Sequence, residues 1–264
     1  VGIVALAVLV TQAATAPDIS LTARARSVRP GELVVLTIRT RPAVETIDVQ
    51  AFGKDLHPYP VDAATWRVLV GIDVSTTPGS YSVRVTANRG EAEAVHRLRV
   101  VPRAFRTRTL KVDPAFVTPP PEVAERIARE SRMLADLWAT STSDRLWTGS
   151  FVRPVPHEAN SAFGSRSIFN GQPRSQHSGA DFRSPAGTPI RAPNRGRVAV
   201  ADDLYFSGNT VVLDHGQGLY SVFAHLSKIT VENGDVVERG ASVGAVGATG
   251  RVTGPHLHWA VRVN

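Results

Sequence analysis

Cysteine is absent from all 264 residues, which excludes a disulfide framework, a thiolate metal site and a cysteine nucleophile. Any metal must therefore be held by His, Asp or Glu. No block of Lys and Arg interleaved with aromatic residues occurs, and aromatic residues make up only 6% of the chain. The footprint of a nucleic-acid binder is missing, and no nucleic-acid partner is expected. Long apolar runs are scarce as well. The one candidate, "VGIVALAVLV" at residues 1–10, is too short to cross a bilayer. Followed by small residues ending in Ala14-Thr15-Ala16, it reads as the apolar region and cleavage site of an export signal, a remnant over residues 1–16. No membrane span is expected in the mature chain; retention of the segment as an N-terminal anchor is the alternative.

What is present is an ordinary globular composition, 42% hydrophobic with a formal net charge of +7. The length suits two domains, and the basic surplus favours contact with anionic polymers. Residues 17–102 carry short alternating segments, "ELVVLTIRT", "TIDVQAF", "TWRVLVGI", "SYSVRVTA" and "AVHRLRVV", divided by turns such as "RPGE" and "TTPGS". That pattern predicts an immunoglobulin-like β-sandwich. His57 and His96 stand alone within it, and the unit is expected to position or shield rather than to catalyse. Residues 103–147 read as a basic, Pro-rich extended connector followed by an amphipathic helix. The helix has an apolar stripe of Val123, Ile127, Leu134 and Trp138, with Glu122/Arg126 and Glu125/Arg129 as i,i+4 pairs. From residue 148 the chain turns glycine-rich and β, and this unit is expected to act without the sandwich when it starts near Trp147. Its "NGDVVERG" turn also fits a lipoyl or biotinyl carrier, but the acceptor lysine is missing there: the only lysine after Lys111 is Lys228.

Four histidines and an aspartate in this last unit form a pattern. In "GPHLHWAV" the side chains of His256 and His258 share one face of a strand, while Leu257, Trp259 and Val261 would pack into the core. "HSGADF" places His177 and Asp181 four apart, close enough to converge. Zinc takes His nitrogen and carboxylate oxygen, three protein ligands in a catalytic site. His177, Asp181 and one member of the HxH pair complete such a set; the geometry leaves open which member. His225, at the end of "YSVFAHLS", gains interest beside them. His157 and His215 read as structural.

These segments, "FGSR…FNGQPRSQHSGADFRSPAGTPIRAP", "GNTVVLDHGQGLYSVFAHLS" and "GPHLHWAVRVN", resemble the lysostaphin/LytM-type zinc metallopeptidases. These are bacterial cell-wall hydrolases with an antiparallel β core. The resemblance implies a mostly β chain with a zinc metallopeptidase domain over 148–264. It makes His177, Asp181 and His258 the Zn2+ ligands, and His225 and His256 the groups that handle the proton and the oxyanion. It further implies hydrolysis of peptide bonds in peptidoglycan stems or cross-bridges, in the periplasm or outside the cell. An inactive activator of other wall hydrolases, or a wall-binding module, is the alternative.

Overall fold

The computed structural model describes residues 16–140, 142, 144–160 and 163–263. The export-signal reading falls, Ala16 apart, outside the described residues. Among the described residues no helix is long and apolar enough to cross a membrane. The described residues are mostly β, with one α-helix and with sheets that are antiparallel apart from one parallel pair.

The first eight strands are β1 (Asp18–Ala25), β2 (Leu33–Arg41), β3 (Ile47–Ala51), β4 (Lys54–Leu56), β5 (Tyr59–Asp62), β6 (Thr65–Gly71), β7 (Gly79–Ala87) and β8 (Ala92–Val100). They form two four-stranded sheets, in the orders β1-β2-β6-β5 and β4-β3-β7-β8. The strands β2, β3 and β7 keep the period of two closely, whereas β6 buries Val68, Leu69 and Val70 in succession. In β2 it is Val34, Leu36 and Ile38 that turn inward, and in β7 Val83 and Val85 answer them, closing one core between the sheets.

The segment after Pro102 departs from a plain connector. Its "TRTL" forms β9 (Thr107–Leu110), which pairs in parallel with β10 (Arg166–Phe169); β11 (Gln172–Gln176) completes this small sheet. The parallel ladder satisfies backbone groups that an extended connector would leave to water. Next comes α1 (Ala124–Ala139). Its run of Ala, Glu, Arg, Leu and Met has high helix propensity, and Met133, Leu134, Leu137 and Trp138 lay an apolar face on Val200, Val212 and Tyr220. Trp138 meets the Tyr220 ring edge-on at 5.2 Å. The ion pairs differ from the expected ones: Arg126 reaches forward to Glu130 (2.6 Å) and across to Asp203 (3.1 Å).

The remaining strands are β12 (Ala180–Phe182), β13 (Pro189–Arg191), β14 (Gly196–Leu204), β15 (Gly208–Asp214), β16 (Leu219–Ile229), β17 (Val236–Val237), β18 (Ser242–Val246) and β19 (Leu257–Val263). They build one eight-stranded sheet along β12-β19-β16-β15-β14-β17, with β13 and β18 attached beside β16. Both faces of its centre are covered. One packs on Phe223, Leu226, Leu257 and their neighbours; the other takes α1. Residues 219–226 of β16 are correspondingly buried almost throughout, with mainly apolar side chains, as expected of a strand covered on both sides. On β19, Leu257 and Trp259 pack against the core, but Val261 is exposed, because the strand runs past the core's edge. A smaller apolar contact joins the sandwich to this sheet through Tyr59, Leu69, Leu219, Trp147 and Val263.

Candidate metal centre

Asp181 on β12 stands directly opposite His258 on the antiparallel β19, and His258 in turn is paired with Ala224 of β16. His177 follows β11, held by two backbone hydrogen bonds: its N–H donates to Ser165 (2.9 Å), and its carbonyl accepts from Gly164 (2.8 Å). Two sheets therefore bring three side chains to one point. Asp181 Oδ1 lies 2.9 Å from His177 Nε2 and 3.2 Å from His258 Nδ1, and those two nitrogens are 3.0 Å apart. Four-coordinate zinc with bonds of about 2.0–2.1 Å needs ligand atoms about 3.3–3.4 Å apart, so the three atoms need only spread by a few tenths of an ångström to form a metal shell. The donor set fits a cation for a second reason. If both imidazole nitrogens, 3.0 Å apart, carry protons, two N–H groups crowd together, and if neither does, their lone pairs face a carboxylate. A cation in their midst satisfies all three atoms. His258 fits closely against the backbone: a Cβ added at Gly179 would lie 2.6 Å from its Nε2.

Burial by itself would raise the Asp181 carboxyl, but hydrogen bonds from His177 and His258, with their charges, outweigh it and hold the group well below the usual carboxylate range. His258 is pushed down, mainly by burial. Arg108, from β9, reaches the other carboxylate oxygen at 3.5 Å and donates to Ser167 Oγ at 3.1 Å. The basic segment read as connector thus places a charge at the centre. Only its alternation, Thr107-Arg108-Thr109-Leu110, hinted at a strand.

His225 and His256 face the same groove, their ring centroids 5.0 Å apart. In both, Nδ1 points at a backbone carbonyl, Thr249 O (2.9 Å) for His225 and Gly254 O (2.8 Å) for His256. A carbonyl can only accept, so Nδ1 carries the proton and Nε2 is left free. His256 Nε2 is 3.8 Å from Asp181 Oδ1, farther than the three clustered atoms. A bulge aims His225: Asn209 pairs with Leu226 and Val211 with Phe223, so Ala224 and His225 together oppose Thr210. His225 takes a left-handed φ of 67°, a strained choice for a non-glycine residue that re-aims its side chain. Burial, then the charges of His256 and His258, push its pKa down to about 3.

The structural readings of the other histidines agree with their surroundings. His215 is fully buried between Arg195 O (2.8 Å) and Ser221 Oγ (2.9 Å), and His157 meets Ser184 Oγ at 2.9 Å. The cavity beside the cluster measures about 250 Å³, and β10, the turn at Phe206–Ser207 and the loop at Arg251–Thr253 contribute to its walls.

A mostly β chain with a His/Asp/His cluster and two further histidines in one groove has the form of a metal-dependent hydrolase. Residues 175–264 match peptidase family M23. The crystal structure of a Pseudomonas aeruginosa chain assigned to peptidase M23 superposes with a TM-score of 0.68 at 33% identity, over 90% of both chains. The chain belongs to peptidase family M23. It is also similar to the peptidoglycan DD-endopeptidase ShyA of Vibrio cholerae, 46% identical over 83 residues, 31% of this chain and 19% of that protein. The DD-carboxypeptidase/endopeptidase Mpg of Neisseria meningitidis is 41% identical over 88 residues, 33% of this chain and 20% of that protein. The chain matches about a fifth of the length of these curated relatives.

Proposed function

We propose that the chain is an exported zinc metalloendopeptidase of the bacterial cell envelope that hydrolyses peptide bonds in the stem peptides or cross-bridges of peptidoglycan. The observation that carries this reading is the convergence of His177 Nε2, Asp181 Oδ1 and His258 Nδ1 beside two histidines with free Nε2 atoms. The names of the relatives ShyA and Mpg support the substrate class.

His177, Asp181 and His258 are the residues that would hold zinc. Zinc held there supplies Lewis acidity, polarising a scissile carbonyl and acidifying water. The chain's own part is orientation and proton transfer. Asp181 and Arg108 fix the ligand rings and carboxylate. His225 and His256 each present an unprotonated Nε2, which can accept a proton from water; once protonated, the same atom can donate to the oxyanion or to the departing amine. The carbonyls of Thr249 and Gly254 hold both rings in that tautomer.

Residues 17–102 are read as an immunoglobulin-like unit that positions the enzyme. The strand orders support this, because β1-β2-β6-β5 and β4-β3-β7-β8 correspond to the ABED and C′CFG sheets of that fold. Residues 148–264 are the peptidase unit. All five site positions are filled and converge, so nothing favours an inactive activator or a wall-binding module.

The test is digestion of purified peptidoglycan of known cross-link type by the zinc-loaded chain, with mass spectrometry of the fragments. A new amino terminus is expected, lost on chelation and restored by zinc. Intact peptidoglycan after prolonged incubation with the zinc-loaded chain overturns the reading.

A further inference from the structure

The groove carries more positive charge than the metal centre uses. Arg108, Arg174 and Arg251 line it, against the single carboxylate of Asp181. Two of these are already engaged: Arg108 with Asp181 and Ser167, and Arg174 with the carbonyl of Val117 (2.5 Å) and the side-chain oxygen of Gln172 (2.9 Å). Arg251 differs. Among the described residues no carboxylate comes within ion-pair distance of it, and its guanidinium carbon sits 5.0 Å from the Phe169 ring centroid and 4.8 Å from that of Phe206.

Its placement is built rather than incidental. The Arg251 N–H donates to the Phe206 carbonyl at 2.8 Å. Two residues earlier, Thr249 accepts from Asn209 N–H through Oγ1 (2.9 Å), donates to Leu226 O (2.9 Å), and offers its carbonyl to His225 Nδ1 (2.9 Å). One loop therefore orients His225 and carries Arg251. Gly250 between them is closed to a side chain, since a Cβ there would lie 2.4 Å from Gly208 N at a φ of +71°.

A guanidinium stacked on aromatic faces keeps its N–H fork free in its own plane, and that fork matches a carboxylate bidentately. Burial first, and the charge of Arg174 second, push the Arg251 pKa down, the mark of a cation whose neutralising partner is missing. The ring contacts alone stabilise a cation only modestly, while a partly buried, unpaired charge is unfavourable. Both are resolved when an anion enters the groove.

We propose that Arg251 is a specificity residue of this groove: it binds a carboxylate of the substrate peptide and makes the enzyme prefer peptides with a free carboxylate beside the scissile bond. This rests on the peptidase reading and narrows its substrate class. Arg174, close enough to lower the Arg251 pKa, adds to the positive field but is held by its own partners.

The experiment uses the zinc-loaded full chain and two pairs of synthetic peptides. In one pair an α-carboxylate next to the cleaved bond is exchanged for a carboxamide; in the other a side-chain carboxylate is exchanged. Steady-state kinetics are read beside calorimetric binding of the same peptides to the metal-free chain. The wild-type chain is expected to favour the carboxylate member of one pair by about 10- to 100-fold in kcat/KM, the range of a charge-assisted hydrogen bond, and which pair responds identifies the source of the carboxylate. Arg251→Gln should bring the two members to near-equal values, mainly through KM, and Arg251→Lys should keep part of the preference. Equal binding and cleavage within both pairs by the wild-type chain overturns the assignment and leaves the peptidase reading standing. So does a preference that survives in a folded Arg251→Gln variant; should that variant not fold, an undiminished preference in Arg251→Lys has the same force. No cleavage of any peptide or of peptidoglycan overturns the peptidase reading and this inference together.

Discussion

Asp181 and His258 face each other across adjacent antiparallel strands, and their Oδ1 and Nδ1 atoms are 3.2 Å apart. The pairing register therefore sets the angle between two of the three cluster residues, while His177 arrives from a different sheet. His256, two residues before His258, lies ahead of β19 in an isolated bridge to Gly247.

That geometry separates two kinds of variant. Asp181→Ala and His258→Ala are expected to release zinc and to lose turnover. His225→Ala and His256→Ala should keep metal and fold while lowering turnover by about 10²–10⁴-fold, the usual effect of removing an acid–base group. Metal content after dialysis, measured beside peptide kinetics, checks the division. Zinc retained at full stoichiometry in His258→Ala but lost from His256→Ala would reverse the assignment of the pair.

Gly179→Ala tests the support behind His258. The added Cβ would meet the ring at 2.6 Å and the Trp259 carbonyl at 2.7 Å, so the ring must move. Zinc affinity is expected to fall by about 10–100-fold, as when an orienting contact of a ligand is disturbed, with a stability loss of about 1–3 kcal/mol from overpacking. Competition with a chromogenic chelator reads the first quantity and denaturant unfolding the second. Unchanged zinc affinity would show that the close approach has no bearing on the site.

His215 gives a pH dependence in the metal-free chain. Burial lowers its pKa from the ordinary 6.5, so in the folded state it resists the proton that the unfolded chain accepts. Above about pH 6.5 both states are neutral and nothing is lost. As the pH falls below that value the unfolded state binds more protons, and stability drops by at most about 1.4 kcal/mol per pH unit from this group. His225, pushed down to about 3, adds a loss of the same sign. His215→Asn should lower stability at pH 7.5 through its lost partners, yet show a smaller further fall between pH 7 and 5 than the wild-type chain. Parallel melting curves across that range for both proteins would contradict the assignment.

Where the peptidase unit can be cut is also decided by the structure. A chain starting at Trp147 loses β9 and uncovers Val200, Val212 and Tyr220, which α1 buries. It is expected to melt several degrees lower and to aggregate. A chain starting at Arg103 retains both elements and should keep turnover on a short peptide. Equal melting temperatures for the two would show that β9 and α1 contribute nothing to the unit.

Much of this protein is legible in its sequence because it depends on local periods. The inward faces of β2 and β7 follow from alternation, the helix over Ala124–Ala139 from propensity and an apolar stripe, and the kinship of His177, Asp181, His256 and His258 from spacings of two and four. The rest needed partners distant in the chain. β9 exists because β10, 59 residues further along, offers a ladder to its "TRTL", and only that pairing carries Arg108 to Asp181. The aim of His225 comes from a bulge set by the register with β15, and its tautomer from a carbonyl 24 residues away. Arg251 has no pattern of its own; its place is defined by Phe169, at the end of β10, and Phe206, in the turn between β14 and β15. Local sequence determines which face a side chain takes, since that is a property of the backbone repeat. Which atoms meet across faces is decided by register, bulges and close glycine contacts, which arise only when whole sheets pack.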